Sequence, residues 1–574
     1  MIVFSSKLKH IVMKKTVLLD RLTIILLAVA LGGLPVSGLA AADAKPNFLF
    51  IAIDDLNDFA GYAAEEPGNF LQVIYPDPAV RARVLKRLTP NLDRLASQSA
   101  PFVRSYCASA LCGPSRTSLM TGIPPFKSGY YMHDRHFRLY ETLTNAVTLP
   151  QQLKANGYFT TGVGKLFHTG SGTVDGPLKD DWADARNSWS VWVNHAIGCN
   201  GGEPGKYSPP NGGLMQFGPS RLQLEQSGDW QVADYTARLL EKGAASMAGS
   251  RGETNEQTVT LPKDKPFFVG CGLFRPHLPF YAPEEFFKKF PVDEMTGLTR
   301  AELDKIIADL KDVPKDGMRF SDLGNGKMKQ VMDNARKLGG EEAEIAAWRD
   351  LVQAYLACVS FADACVGRLM EGLDKSPQKT NTVVVLWSDH GFHVGSKYHV
   401  AKQALWEEAN RTELIIRDPR RPSASDGKLR RQIVSLNDIY PTVCALAGVP
   451  LPKTLQVGNG LAPLLANAAA PQLHDELLMT YMPANHSLRT PEYRFMRYKD
   501  GGMELYDMIH DPRQLTNLAD VAGFAPVKDR FSADLTKRVA GEVIPAANAS
   551  AGSNDSDNET VGPQKKRRNR NQTE

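Results

Sequence analysis

Continuous apolar runs recur along the chain and alternate with segments of helical periodicity. The run NFLFIAI, from Asn47 to Ile53, and the run TVVVLW, from Thr382 to Trp387, are typical of strands buried in a parallel sheet. Other runs predict further strands at 158–163, 266–273, 414–416 and 432–434. Between the runs, apolar residues at helical spacing predict helices, such as one from about Glu342 to Leu373. The alternation predicts an α/β domain with a large, mostly parallel mixed sheet sandwiched by helices.

The pattern changes near the C-terminus. From about residue 472, short strands follow one another closely at 477–481, 493–498 and 504–506, and a helix is predicted near 531–543. The chain is therefore divided into a main domain at 45–467 and a smaller C-terminal α+β subdomain with an antiparallel sheet at 472–546. Residues 547–574 are rich in Asn, Ser, Asp, Lys and Arg, which predicts a disordered tail.

The N-terminal segment has the features of an export signal. Lysines precede an apolar run at 22–34, and small residues follow at 40–42. Because the run is short for a membrane span, residues 1–42 are predicted to be a signal peptide, with an uncleaved anchor as the alternative and Met13 as an alternative start. The expected protein is exported, periplasmic or extracellular, and has no stable membrane span after signal cleavage.

Composition excludes some classes of protein. With 574 residues, of which 43% are hydrophobic, and a net charge of +4, the chain can bury a sizeable core. The basic run at 565–568 lies in the polar tail, so nucleic acid is not expected as a partner. Cys358 and Cys365 lie two turns apart on one predicted helix, which favours core positions over a disulfide.

Polar side chains follow four of the predicted strands. In chain order these are Asp54 with Asp55, Lys165 with His168, His277, and Asp389 with His390. Open α/β sheets keep their sites at the carboxyl ends of the strands, so these residues are expected to meet in one cleft. Three carboxylates in one pocket repel one another unless a cation holds them, and oxygen ligands favour Ca²⁺ or Mg²⁺.

The stretch from Cys112 to Gly122 combines a cysteine, a rigid turn and a fixed cation. Cys112 lies at the predicted start of a helix, a position that favours an anion. Pro114 fixes φ, and the planar donor fork of Arg116 suits a tetrahedral oxyanion such as sulfate or phosphate. This stretch is predicted to be the reaction centre.

The spacing CxPSRxxxxTG, read from Cys112, resembles the signature of the type I sulfatases, whose fold is alkaline-phosphatase-like. The order DD, CxPSR, GKxxH, PHxPF and SDHG extends the resemblance over about residues 45–465, and the forms VGKLFH, RPHLPF and WSDHG look most like the iduronate-2-sulfatase branch. The resemblance implies that Cys112 is oxidised to Cα-formylglycine by a formylglycine-generating or an anaerobic sulfatase-maturing enzyme. Six cysteines would then remain of the seven, an even number compatible with export.

The resemblance also assigns roles to the residues at the strand ends. One calcium ion is implied, held by Asp54, Asp55, position 112, Asp389 and His390. In the implied mechanism, one hydroxyl of the hydrated aldehyde attacks sulfur and the second is deprotonated, with His168 as base. Arg116 and Lys165 would hold the diol, and His277 would protonate the leaving oxygen. Lys402 matches the lysine that binds sulfate, with Lys397 as a competing residue.

Substrate recognition is less constrained by the sequence. Arg489 and Arg494 are cations suited to the carboxylate of a uronic acid. The irregular stretch at 170–228 is expected to form a pocket wall in which aromatic residues stack on sugar rings or, with equal weight, pack in the core. The residues concerned are Trp182, Trp189, Trp192 and His195.

The expected activity is hydrolysis of a sulfate ester on a sulfated glycan, with a 2-O-sulfated uronic acid in a polysaccharide as the leading substrate. One alternative is a phosphodiester or phosphonate monoester hydrolase of the same superfamily, because some of these share CxPxR and the metal-binding aspartates. Another is an unconverted, catalytically silent protein that binds sulfated glycans through the same cleft.

Overall fold

The computed structural model describes residues 45–168, 181, 183–195, 197, 202–209, 215–248, 256–324 and 326–545. The predicted signal peptide, the predicted tail, Trp182 and Cys199 lie outside the described residues. From Pro46 onward the described chain forms one compact unit.

Strands and helices alternate along the main part of the chain. The strands are β1 (Asn47–Ile53), β2 (Ala100–Tyr106), β3 (Phe159–Gly164), β4 (Val191–Val193), β5 (Phe217–Ser220), β6 (Ala244–Ala248), β7 (Glu256–Thr260), β8 (Phe267–Leu273), β9 (Phe280–Pro283), β10 (Thr382–Ser388), β11 (Arg411–Arg417), β12 (Val434–Ser435), β13 (Leu477–Thr480), β14 (His486–Arg489), β15 (Tyr493–Arg497) and β16 (Met503–Asp507). The α-helices are α1 (Leu71–Ile74), α2 (Pro78–Leu88), α3 (Pro90–Ser97), α4 (Cys112–Thr121), α5 (Pro125–Ser128), α6 (Leu149–Ala155), α7 (Ala185–Ser188), α8 (Gly228–Lys242), α9 (Glu284–Phe287), α10 (Arg300–Asp309), α11 (Lys315–Met318), α12 (Lys327–Lys375), α13 (Glu407–Asn410), α14 (Ile439–Ala447), α15 (Ala462–Ala466) and α16 (Ala525–Arg538).

Strands β1 and β10, predicted from the runs NFLFIAI and TVVVLW, lie next to each other at the centre of the main sheet. Its order is β12-β2-β11-β10-β1-β8-β3-β4. Strand β1 is parallel to both β10 and β8, with Ile53 opposite Ser388 and Leu273. Strand β11 runs antiparallel to β10 and to β2. The predicted fold class, a large and mostly parallel mixed sheet flanked by helices, is confirmed.

The longest helical segment, α12, covers one face of the fold and packs against α8. Its backbone leaves helical geometry at Gly339 and Gly340, where φ of Gly340 is +69°, so its second half begins close to the predicted start. Of the described helices, this one is long and apolar enough to cross a membrane, but 78% of its apolar window is buried inside the fold. Cys358 and Cys365 are buried free thiols in this helix, which confirms their core positions.

The C-terminal sheet is antiparallel, with the order β13-β14-β15-β16. Its inner face packs on α16 through Phe531 and Leu535. Three of its strands match the predicted segments. Strand β14 was not predicted, because its sequence HSLR is mostly polar although all four residues are buried.

Candidate active site

The polar residues predicted at the strand ends converge on one edge of the main sheet. In chain order they are Asp54 and Asp55 after β1, Lys165 after β3, His277 beyond β8, and Asp389 and His390 after β10. Cys112 is the first residue of α4, and this helix follows β2, which ends at the same edge. The predicted convergence is therefore confirmed for these residues.

Arg116 connects two of the carboxylates below position 112. Its Nε donates to Oδ2 of Asp389 at 2.8 Å, and its Nη2 donates to Oδ1 of Asp54 at 3.0 Å. Burial alone would lower the pKa of Arg116, but Asp389 and Asp54 raise it, so the guanidinium stays charged. Arg116 is fully buried and joins the ends of β1 and β10 through these two carboxylates.

Two lysines complete the charge balance of the site. Lys165 Nζ lies 2.7 Å from Oδ2 of Asp54, and Lys402 Nζ lies 3.1 Å from Oδ1 of Asp55. Lys397 instead pairs with Asp309 at 2.9 Å. Of the two lysines considered from the sequence, Lys402 is the one in the site.

His390 directs one ring nitrogen into the site. Its Nδ1 lies 3.0 Å from the carbonyl oxygen of Gly391, so Nδ1–H donates to this carbonyl. Its Nε2 lies 3.2 Å from Sγ of Cys112 and 3.5 Å from Oδ1 of Asp55. Burial lowers the pKa of His390, which favours the neutral ring with a lone pair on Nε2. This geometry suits a metal ligand.

The donor set fits a divalent cation. The ligand atoms of Asp54, Asp55, Cys112 and His390 lie within 4.8 Å of one another, and all four residues are buried. Burial, together with Asp54 and Asp389, raises the pKa of Asp55 well above its usual range although Lys402 opposes the shift. A bound cation would lower the pKa of Asp55 again, because it stabilises the ionised carboxylate.

Asp389 lies beside the group of four possible metal ligands rather than within it. Its Oδ1 accepts the backbone N–H of Asp55 at 3.2 Å and that of His390 at 3.1 Å, and its Oδ2 lies 3.5 Å from Nε2 of His390. Three cationic side chains share the negative charge of these carboxylates, because Arg116, Lys165 and Lys402 each pair with one or two of them.

The unmodified thiol of Cys112 is a poor nucleophile in this environment. Burial and the carboxylate of Asp54 raise its pKa well above the usual range, in spite of Lys402 and Lys165. A cysteine reacts as the thiolate, which this environment disfavours.

Two further histidines predicted for the site, His277 and His168, have different surroundings. Nδ1 of His277 lies 2.6 Å from the carbonyl oxygen of Leu278, and Nε2 lies 4.0 Å from Oδ2 of Asp55. His168 follows β3 and packs against His133, with ring centroids 4.2 Å apart. His133 was not singled out in the sequence, where its only signal is the cluster of basic residues in HDRH, shortly after the reaction-centre stretch.

The arginines proposed for substrate recognition lie inside the protein. Nε of Arg489 lies 3.2 Å from Oε2 of Glu407, and Nη2 of Arg494 lies 2.7 Å from the same oxygen. Their exposed fractions are 3% and 0%. The interpretation of Arg489 and Arg494 as a carboxylate-binding pair is corrected, because both guanidinium groups neutralise a buried glutamate.

The aromatic residues of the irregular stretch divide between core and surface. Trp189 is buried and packs on Phe268, with ring centroids 6.0 Å apart, which makes it a core residue. Trp192 is partly buried and packs against Trp189. Nε2 of His195 lies 2.8 Å from Oε1 of Gln231. Trp189 therefore follows the core interpretation rather than the sugar-stacking one.

Comparison with known proteins agrees with this geometry. The Sulfatase family model matches residues 46–449, and the model of the C-terminal region of N-sulphoglucosamine sulphohydrolase matches residues 395–540. A sulfatase of Formosa agariphila is 31% identical over 516 residues, covering 86% of this chain and 87% of the relative. Iduronate 2-sulfatase of Mus musculus is 28% identical over 442 residues, covering 72% and 71%.

A solved structure described as a 2-O GAG sulfatase has the same fold. It superposes with a TM-score of 0.58 at 19% identity and covers 86% of this chain and 93% of its own. The family match spans most of the chain and includes every residue of the site around position 112. The chain therefore belongs to the sulfatase family and is a sulfuric ester hydrolase.

Proposed function

We propose that this protein removes sulfate from a 2-O-sulfated uronic acid in a polysaccharide, with formylglycine at position 112 and one calcium ion. The observation that carries the proposal is the buried group of Asp54, Asp55, Cys112 and His390, whose ligand atoms lie within 4.8 Å of one another. Similarity to iduronate 2-sulfatase of Mus musculus supports the choice of sugar. The buried, protonated thiol supports modification, because unmodified Cys112 is a weak nucleophile here.

The cationic side chains of the site would bind the sulfate group of the substrate rather than its sugar ring. Lys165 and Lys402 have compact ammonium groups that pair with Asp54 and Asp55 and can turn toward a sulfate oxygen. Calcium, held by Asp54, Asp55, Asp389, His390 and the side chain at position 112, would supply further charge neutralisation for the sulfate oxygens. Arg116 keeps the two ligand strands in register.

Proton transfer is assigned to the two histidines. His277 gives a proton to the leaving sugar oxygen through Nε2, because Nδ1 is occupied by the carbonyl oxygen of Leu278. His168 removes a proton from the side chain at position 112 so that sulfate can leave. Formylglycine would supply a hydrated aldehyde, which offers two hydroxyl groups where a thiol offers none.

Export and maturation complete the proposal. The apolar segment at 22–34 with small residues at 40–42 supports cleavage of a signal peptide and a periplasmic or extracellular location. The partner is a formylglycine-generating or an anaerobic sulfatase-maturing enzyme, and the substrate is a sulfated glycan.

The test is a desulfation assay with protein produced together with a maturation enzyme. Sulfate release is measured on defined disaccharides that carry 2-O-sulfated uronic acid, with 6-O-sulfated amino sugars as comparison and Cys112→Ala as the inactive control. We expect the 2-O-sulfated uronate to react fastest. Faster release from the amino sugar would contradict the proposed sugar, and no release from any sulfate ester would contradict the proposed activity.

Two further measurements separate the alternatives. Rates on matched aryl sulfates and phosphonate monoesters distinguish a sulfatase from a phosphonate monoester hydrolase. Mass spectrometry of the peptide containing Cys112, from protein of the native host, shows whether the thiol is converted. An intact thiol there would favour a silent glycan-binding protein.

A further inference from the structure

A short segment beyond α5 packs directly on His168. The rings of His133 and His168 lie with centroids 4.2 Å apart and planes tilted by 35°. The hydroxyl of Tyr130 donates to the backbone oxygen of His168 at 3.1 Å. His168 is therefore in contact with this segment through both its ring and its backbone.

Gly113 joins these contacts to the reaction centre. A Cβ atom placed on Gly113 would lie 2.7 Å from Oη of Tyr130, 2.9 Å from Cβ of His133 and 3.2 Å from the backbone oxygen of His168. All three residues thus touch the first turn of α4, one residue from Cys112. His133 is 5% exposed, so its contact with His168 is an interior one.

We propose that His133 is a positioning residue that sets the orientation of the His168 ring in the sulfatase reaction. The proposal rests on the proposed role of His168 as the base. The Cβ–Cγ torsion of histidine has a broad minimum, so an unsupported ring samples many orientations. Only an orientation with a nitrogen within about 3 Å of the reacting hydroxyl can transfer the proton. The face of His133 restricts the ring to a narrow range before the substrate arrives.

The flat face of the ring, rather than its nitrogens, carries the effect. His133→Phe keeps an aromatic face, whereas His133→Ala removes it. For His133→Ala we expect kcat to fall about tenfold to a hundredfold, because misplacing a catalytic group slows the reaction by about this factor. We expect KM to stay within about twofold, because the cations proposed to bind sulfate are unchanged. For His133→Phe we expect kcat within about threefold of the unchanged protein.

The experiment compares these variants on an aryl sulfate, with each protein produced together with a maturation enzyme and its converted fraction measured by mass spectrometry. Lys127→Ala, an exposed change on α5, is the control and should match the unchanged protein. Thermal unfolding of each variant confirms that it is folded.

Three results would overturn the role of His133: an unchanged kcat in His133→Ala, a change confined to KM, or a kcat in His133→Phe as low as in His133→Ala. Other results would contradict the two assignments on which this role depends, the base role of His168 and the sulfatase activity. Activity in His168→Ala would contradict the role of His168 as base, and absence of sulfate release by the unchanged protein would contradict the proposed function.

Discussion

At the scale of single residues, the sequence predicted most of the site because strand ends carry its chemistry. Asp54, Asp389 and His390 directly follow strongly apolar strands, so their meeting at one sheet edge follows from the parallel arrangement. The direction of each side chain could not be predicted in the same way. Whether Lys397 or Lys402 enters the site depends on an irregular loop, in which Lys397 has a φ of +54°.

Removal of the Asp389 carboxylate should weaken calcium binding. Asp389 accepts two backbone N–H groups and pairs with Arg116, so Asp389→Ala removes a proposed calcium ligand and also disturbs the residues around it. We expect calcium affinity to fall at least tenfold and turnover to be lost. Calcium titration followed by calorimetry measures the affinity independently of activity.

The matched control for this variant is Asp264→Ala, an exposed aspartate in the turn before β8. It should bind calcium like the unchanged protein. A calcium titration of Asp389→Ala that superposes on that of the control would remove Asp389 from the metal site.

At the level of elements, Arg489 and Arg494 attach the C-terminal sheet to the main domain through one buried glutamate. Glu407, the first residue of α13, accepts from Tyr106 at 2.7 Å and pairs with arginines of β14 and β15. The glutamate lies about 80 residues before these arginines in the sequence, and no local pattern connects them. Their burial could be recognised only once both sheets were placed.

Neutralising Glu407 should destabilise the protein without touching the reaction centre. In Glu407→Gln, Arg489 and Arg494 would keep their buried charges without a counter-charge, which costs about 3–5 kcal/mol of unfolding free energy. Urea unfolding measures the loss. Glu284→Gln, at a well-exposed ion pair with Lys288, should change stability by less than about 1 kcal/mol. Equal stabilities of the two variants would show that Glu407 is not required for attachment of this sheet.

At the scale of the whole molecule, periodicity predicted the main sheet and its flanking helices. Long, continuously apolar strands are stable only in a sheet that is covered on both faces. The antiparallel placement of β11 and the pairing of β6 with β7 were not predicted, since direction and partner are set by tertiary contacts. Six of the seven cysteines, Cys112 among them, lie in the described part of the chain, and all six are buried and free, so these six form no disulfide with one another.

One buried carboxyl group, Glu413, should contribute less to stability as the pH rises. Burial raises the pKa of Glu413 to about 8, with Tyr62 and Ala60 as hydrogen-bond donors opposing the shift. The folded state therefore binds a proton that the unfolded state releases above about pH 4.5. The stabilisation is complete below that pH and is lost as the pH rises toward 8.

Glu413→Gln mimics the protonated carboxyl group and removes this dependence. Between pH 5 and pH 9 we expect its Tm to decline less than that of the unchanged protein, with a difference in unfolding free energy on the order of 3 kcal/mol near pH 7. Scanning calorimetry across this range provides the measurement. Parallel Tm curves for the two proteins would show that Glu413 titrates normally in the fold.

The burial of helix α4 affects when the newly synthesised chain can be modified. All ten of its residues are buried, including Cys112. Under the proposed function, a maturation enzyme must reach Cys112 before this helix is enclosed, so conversion and folding compete in time. A chain that folds first is trapped with an inert thiol. The yield of active protein should therefore depend on the rate of folding as well as on the amount of maturation enzyme.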